Sequence, residues 1–166
     1  MNDSNPLQDI AQTAIYWEDL PVGTRYRTSS RTITEADVVA FAALTGDSNR
    51  LHVDAEYAKG TLFGQRIAHG MLVASYMAGL TSRSIPYQLT EAAVLGVLEN
   101  RLKYPKPTLI GDTLHVEIEV MEQKPTSRPD RGLIGFLRKG VNQRGETVCE
   151  MEAVCLLKRR PSEEQA

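Results

Sequence analysis

Gly70-Met71-Leu72-Val73-Ala74-Ser75-Tyr76-Met77-Ala78-Gly79-Leu80 is the segment that decides the fold. Only Ser75 and Gly79 interrupt its apolar run after Gly70, so apolar side chains fall on nearly every side of a helix. A helix that is apolar all round is buried, and a membrane span needs ~20 residues, about twice this run. At 1.5 Å per residue the helix is roughly 16–18 Å long. A sheet curled around one central helix buries it on most sides.

The second half of the chain supplies that sheet. Leu114, Val116, Ile118 and Val120 alternate with His115, Glu117 and Glu119, the period of a strand with one face in the core. Leu98, Asn100, Leu102 and Tyr104 alternate with Glu99, Arg101 and Lys103. Gly132 to Val141 and Thr147 to Leu157 read as two further strands, joined by a tight turn at Arg144-Gly145. Gly111-Asp112 turns the chain before Thr113, and Lys124 to Arg131 is a polar loop with two prolines. Strands and helices are segregated along the chain, which argues α+β with an antiparallel sheet.

Before the helix, residues 1–15 read as a frayed arm and Tyr16 to Thr24 as a docked irregular segment, in which Trp17 packs. A strand is expected over Tyr26 to Ile33. Thr34-Glu35-Ala36-Asp37 starts a helix, because the Thr34 hydroxyl can accept from the Asp37 N–H and the acids suit the positive end of the dipole. Gly46 ends it. Asp54 caps a short helix through Ala58 that ends near Gly60, and Thr61 to Ala68 is irregular, with a bend at Gly64. Lys158 onward is a charged tail. One domain is expected over residues 1–166, with its core at about 16–158.

The polar cluster Gly46-Asp47-Ser48-Asn49-Arg50-Leu51-His52 interrupts this apolar setting. A carboxylate and an imidazole held together can polarise a water and move its proton. Asp47 and His52 meet only if the loop folds back, and spacing alone equally fits a turn aspartate and a packed histidine. Asn49 can hold the loop or orient a substrate carbonyl. Gly70 opens the buried helix, where unpaired N–H groups could stabilise an enolate oxygen; a tight turn is the other reason for a glycine there. His69 next to it is a ligand contact or a structural donor. Asp47, His52, Asp54 and His69 are all metal-capable types, but they show no recurrent ligand spacing, so no metal is expected.

Bulk properties narrow the classes further. The 166 residues carry 19 Lys and Arg against 21 Asp and Glu, a net charge of -2. That gives no electrostatic reason to expect nucleic acid or an anionic membrane as a partner. No secretion signal is evident, and a cytoplasmic protein is expected. The two cysteines, Cys149 and Cys155, are six residues apart on one expected strand, roughly 20 Å, beyond the ~7 Å limit for a disulfide, and read as core residues.

At these residues the chain resembles the MaoC-like dehydratase family, which includes (R)-specific enoyl-CoA hydratases. The motif is an apolar residue, S/T-G-D-x-N-P, an aliphatic residue and H, and here it reads Leu44-Thr45-Gly46-Asp47-Ser48-Asn49-Arg50-Leu51-His52. Ile67-Ala68-His69-Gly70-Met71 matches the later I-x-H-G-M pattern. The resemblance implies a hot-dog fold, a homodimer or dimer of dimers, and no cofactor. It implies a catalytic Asp47 and His52, with the Gly70 N–H facing a thioester oxygen. Asn49, His69 and Met71 fall at substrate-side positions. The implied reaction is reversible syn hydration of a trans-2-enoyl-CoA, or of the corresponding acyl-carrier-protein thioester, to the (R)-3-hydroxyacyl thioester. A hot-dog thioesterase and a non-catalytic acyl-thioester-binding subunit are the alternatives. Arg50 replaces the motif proline and either marks a substrate with a second carboxylate or points to solvent. Ala78 stands where some hydratases carry a serine.

Overall fold

The computed structural model describes residues 13–161. The expected frayed arm, apart from residues 13–15, and the last five residues lie outside them.

Six strands form one antiparallel sheet: β1 (Arg25–Arg27), β2 (Arg31–Thr32), β3 (Val94–Lys103), β4 (Thr113–Pro125), β5 (Arg131–Val141) and β6 (Thr147–Lys158). Their order is β1-β4-β5-β6-β3, with β2 also on β4. The helices are α1 (Glu35–Thr45), α2 (Arg50–Val53), α3 (Ala55–Lys59), α4 (Gly70–Ser82) and α5 (Ile85–Thr90). Short 3-10 turns lie at Trp17–Asp19 and Glu91–Ala93. Helix α5, with Pro86 in its first turn, has no counterpart in the sequence expectations.

Helix α4 lies on the inner face of the sheet. Leu72, Val73, Ala74, Met77 and Leu80 pack into one core with Leu114, Val116, Ile118 and Val120 of β4 and the inward residues of β5 and β6. Both cysteines are free and buried there, as their reading as core residues requires. The helix sits against the sheet at a position with no side chain. A Cβ on Gly140 of β5 would fall 2.8 Å from Met77 Sδ and 3.3 Å from its Cγ.

The expectation of a helix covered on all sides needs correction. Met71 is 57% exposed, and Ser75, Ala78 and Gly79 are exposed with it. These positions follow a helical period, so one stripe of α4 faces away from the sheet. A single sheet covers one side of a helix only.

The strand expected over Tyr26 to Ile33 is broken in two. Arg27 pairs with Glu117 and Arg31 with Leu114, so this side holds one residue more than its partner. The extra residue makes a bulge. Thr28 fills it: its Oγ1 accepts from Val116 N–H at 3.0 Å while its own N–H donates to Val116 O at 2.9 Å. In β3 the expected inward Leu98 is 61% exposed, because irregularities between Val94 and Gly96 and between Val97 and Glu99 reset the alternation. The first residues of the charged tail dock onto the molecule. Lys158 ends β6, and Arg159 and Arg160 pair with Glu18 and Asp19 at 2.7 and 2.6 Å. Trp17 packs as expected, its Nε1–H donating to Leu133 O at 3.0 Å.

Among the described residues no helix is long and apolar enough to cross a membrane.

Candidate active site

Helix α1 delivers the polar loop. Thr34 and Asp37 cap its start reciprocally, Asp37 N–H to Thr34 Oγ1 at 3.3 Å and Thr34 N–H to Asp37 Oδ2 at 2.8 Å. Gly46 ends it in the left-handed region at φ 78, where glycine carries no Cβ penalty. The chain then reverses at once. Asn49 N–H points to Asp47 Oδ1 at 3.4 Å, and Asn49 Oδ1 accepts from Leu51 N–H at 3.0 Å. Asn49 thereby caps α2, a one-turn helix where a plain loop was expected. That turn swings His52 back toward Asp47.

The carbonyl partners define the two imidazoles. His52 Nδ1 lies 2.8 Å from Ile67 O, and His69 Nε2 lies 2.9 Å from Asp47 O. A carbonyl only accepts, so each of these nitrogens carries the proton. In this tautomer Nε2 is the His52 nitrogen that can accept a proton. His69 is buried, its Nδ1 has no partner among the described residues, and its ring stacks on His52. Ile67 and Ala68 are held from both sides, Ile67 N–H donating to Leu51 O at 3.1 Å and Ala68 N–H to Thr108 O at 2.9 Å. The side-chain donor atoms of Asp47, His52 and His69 lie within 4.8 Å of one another.

These residues open onto a cavity of about 540 Å³ that Phe63, Gly70, Tyr104 and Thr108 also line. His69 is the N-cap of α4 and gives no side-chain cap. The N–H groups of Gly70 and Met71 have no acceptor among the described residues, so the positive end of a 13-residue helix is left open beside the acid and the imidazole. The glycine is needed here for a reason outside the sequence reading: a Cβ would stand 2.9 Å from Tyr104 Cζ. Tyr104 closes that wall and donates its hydroxyl to Met71 Sδ at 3.6 Å.

Other expectations fall outside the cavity. Asn49 caps α2 and does not line the cavity. Asp54 accepts from Arg50 at 2.9 Å and caps α3 through Tyr57 N–H. Arg50 lies over the Tyr57 ring, 4.2 Å from its centroid, and is turned to solvent, away from the acid–imidazole pair. Lys106 also lines the cavity and pairs with Glu146 at 2.7 Å. Phe63 and Thr108 were missed because they come from irregular segments without a periodic signal, and Tyr104 because its alternation marks it only as the end of a strand.

Asp47, His52 and His69 are close enough together to be tested as metal ligands. A metal bound by two imidazoles must lie in both ring planes at ~2 Å from each nitrogen. The His52 and His69 planes are only 29° from parallel and their centroids 3.7 Å apart, so they meet well beyond that reach. The donor set does not fit a metal.

An acid and a free imidazole nitrogen before an open helix end can polarise a carbonyl and move a proton beside it. The architecture carrying them is a hot-dog fold. A Mycobacterium tuberculosis protein described as a double hot-dog superposes with TM-score 0.75 at 22% identity, covering 90% of this chain and 46% of that one. Residues 19–133 match the family described as MaoC like domain. The chain therefore belongs to the MaoC-like family. It is 38% identical over 117 residues to a 3-hydroxybutyryl-CoA dehydratase of Methylorubrum extorquens, covering 70% of this chain and 71% of that one. It is 32% identical over 145 residues to an (R)-specific enoyl-CoA hydratase of Rhodospirillum rubrum, covering 87% and 93%. A solved Archaeoglobus structure described as a monoamine oxidase regulatory protein superposes with TM-score 0.84 at 32% identity, covering 91% and 99%.

Proposed function

We propose that the protein is a hydro-lyase that reversibly hydrates a trans-2-enoyl-CoA to the (R)-3-hydroxyacyl-CoA, with Asp47 and His52 as its catalytic pair. The observation that carries this reading is the convergence of Asp47 and His52 on the cavity that holds the open end of α4. The named activities of the Methylorubrum and Rhodospirillum relatives support it.

The residues suggest a simple path for the atoms. A water lies between Asp47 and His52, one O–H donating to the Asp47 carboxylate and the other to His52 Nε2. His52 takes a proton as the water oxygen bonds to C3. The C2=C3 electron pair shifts toward C1, and the enolate oxygen is met by the Gly70 and Met71 N–H groups. The proton then passes to C2 on the same face, which makes the addition syn. Dehydration runs the same steps backward.

Loss of enoyl absorbance with crotonyl-CoA tests the proposal. Asp47→Asn and His52→Ala should each lower kcat by about 10²–10⁴ while the fold is kept. Full activity in both variants would overturn the assignment, and thiol release from saturated acyl-CoA would point to a thioesterase instead.

The same reading includes a second copy of the chain. The exposed stripe of α4 that begins at Met71 is one unpartnered apolar surface, and the edge strand β3, with exposed Leu95, Val97 and Leu98, is another. An unpaired apolar edge is a pairing surface. Sedimentation should give a dimer, and charged substitutions at Val97 and Leu98 should split it.

A further inference from the structure

Arg138 lies on the core-facing side of β5 between Phe136 and Gly140, and only 6% of it is exposed. A guanidinium stays protonated in proteins, so a full positive charge sits inside the molecule. A buried charge is tolerated when it is paired. No carboxylate among the described residues pairs with Arg138. Its Nη1 and Nη2 reach only Met151 Sδ at 3.9 Å and Cys155 Sγ at 3.8 Å, both weak acceptors. Its Nε–H is buried with no acceptor among the described residues. The Phe136 ring centroid lies 5.3 Å from Cζ, a contact that offsets only part of a desolvated charge.

The guanidinium borders a cavity of about 20 Å³, which Tyr26, Tyr87, Thr90 and Cys155 also line. That exceeds the ~10–15 Å³ that one water-sized sphere fills; a halide is somewhat larger and fits if the half-buried Tyr26 and Tyr87 rings shift outward. No lining residue is acidic. Thr90 Oγ1 already donates to Pro86 O at 2.7 Å. The Tyr26 and Tyr87 hydroxyls have no acceptor among the described residues. Burial pushes the Cys155 thiol up, so it stays neutral and is not the missing countercharge.

We propose that this cavity binds one compact monovalent anion of halide size, held by the Arg138 guanidinium and the hydroxyls of Tyr26 and Tyr87. The cavity shares no lining residue with the catalytic cavity of the same chain. The ion joins β1 through Tyr26, β5 through Arg138 and α5 through Tyr87. It therefore acts on stability, as any ligand selective for the folded state does.

Bromide is the probe. Crystals of the full chain grown in sodium bromide should show an anomalous peak within hydrogen-bond distance of Arg138. In solution, bromide replacing gluconate at constant ionic strength should raise Tm by several degrees and then saturate. Arg138→Met should abolish that saturable rise. Tyr26→Phe, which keeps the charge, should shift it to higher bromide concentration. A bromide-soaked crystal without a peak at Arg138 would overturn the proposal, even if Arg138→Met fails to fold. So would an identical bromide response in Arg138→Met.

Discussion

The imidazole of His52 lies against that of His69, with centroids 3.7 Å apart and planes 29° from parallel. His69 also donates Nε2–H to the Asp47 carbonyl. One buried ring therefore backs one member of the proposed catalytic pair and tethers the backbone of the other. His69→Ala should lower kcat about 10–100-fold, since small misplacements of reacting groups are costly, with a much smaller change in KM. His69→Gln, which keeps an amide donor, should recover part of the loss. Steady-state kinetics on protein with matched circular dichroism tests both variants. An unchanged kcat in His69→Ala would remove the positioning role.

Gly70→Ala places its Cβ against the ring of Tyr104. Tyr104 is partly exposed and its ring can swing aside, so stability should fall by less than about 1 kcal/mol, under the usual ~1–3 for overpacking a rigid core. The displaced ring would remodel the cavity wall, so KM should rise. Adding Tyr104→Ala should relieve the strain and leave the pocket wider. Tm and KM for the single and double variants separate the two effects.

Arg50→Pro restores the residue that the motif carries elsewhere. Arg50 is the first residue of α2, where proline is well tolerated. Asn49 before it sits at φ -56 and ψ 136, a conformation compatible with a following proline. The lost Arg50–Asp54 pair is exposed and worth ~0–1 kcal/mol. The variant should keep its activity and change stability by less than about 1 kcal/mol, with loop stiffening offsetting the lost pair. A large fall in turnover would show that Arg50 touches substrate.

Asp112 is one of the carboxylates that shape the acid side of the stability profile. Its side chain is 2% exposed. Burial alone would raise its carboxyl, but hydrogen bonds from Arg144, the Leu109 N–H and Gln143 outweigh this and hold it below its ordinary value. The unfolded carboxyl titrates near ~3.9, so folding gains stability above that pH and loses it as pH falls through the lowered folded value. Thermal melts should drop steeply below about pH 4, and Asp112→Asn should flatten that slope. At neutral pH the same variant should cost about 1–3 kcal/mol, less than a fully buried pair because Arg144 is partly exposed.

Local signals in the chain carry most of the architecture. Thr34 and Asp37, Gly46, Asp54 and the alternation of Leu114 to Val120 each encode their element through hydrogen bonding or burial with near neighbours, and each appears where it was expected. What the sequence hides is set by distant partners. The bulge at Thr28 depends on Val116, the exposure of Leu98 on irregular pairing with β6, and the open stripe of α4 on how far one sheet can reach. The site divides in the same way. Asp47, His52 and Gly70 are legible as an ordered motif. The tautomer of His52 is set by Ile67, and the wall over Gly70 by Tyr104, and neither pairing leaves a periodic trace.

Gly140 has no side chain, and Met77 of α4 occupies the space one would need. Met77 is seven residues, about 10 Å along the helix, from Gly70. A side chain at position 140 would have to displace the Met77 thioether, and a helix that shifts to make room moves its Gly70 end as well. Natural variation or directed evolution at this residue would then surface as altered turnover in protein that folds normally. Libraries confined to the cavity wall would never sample it.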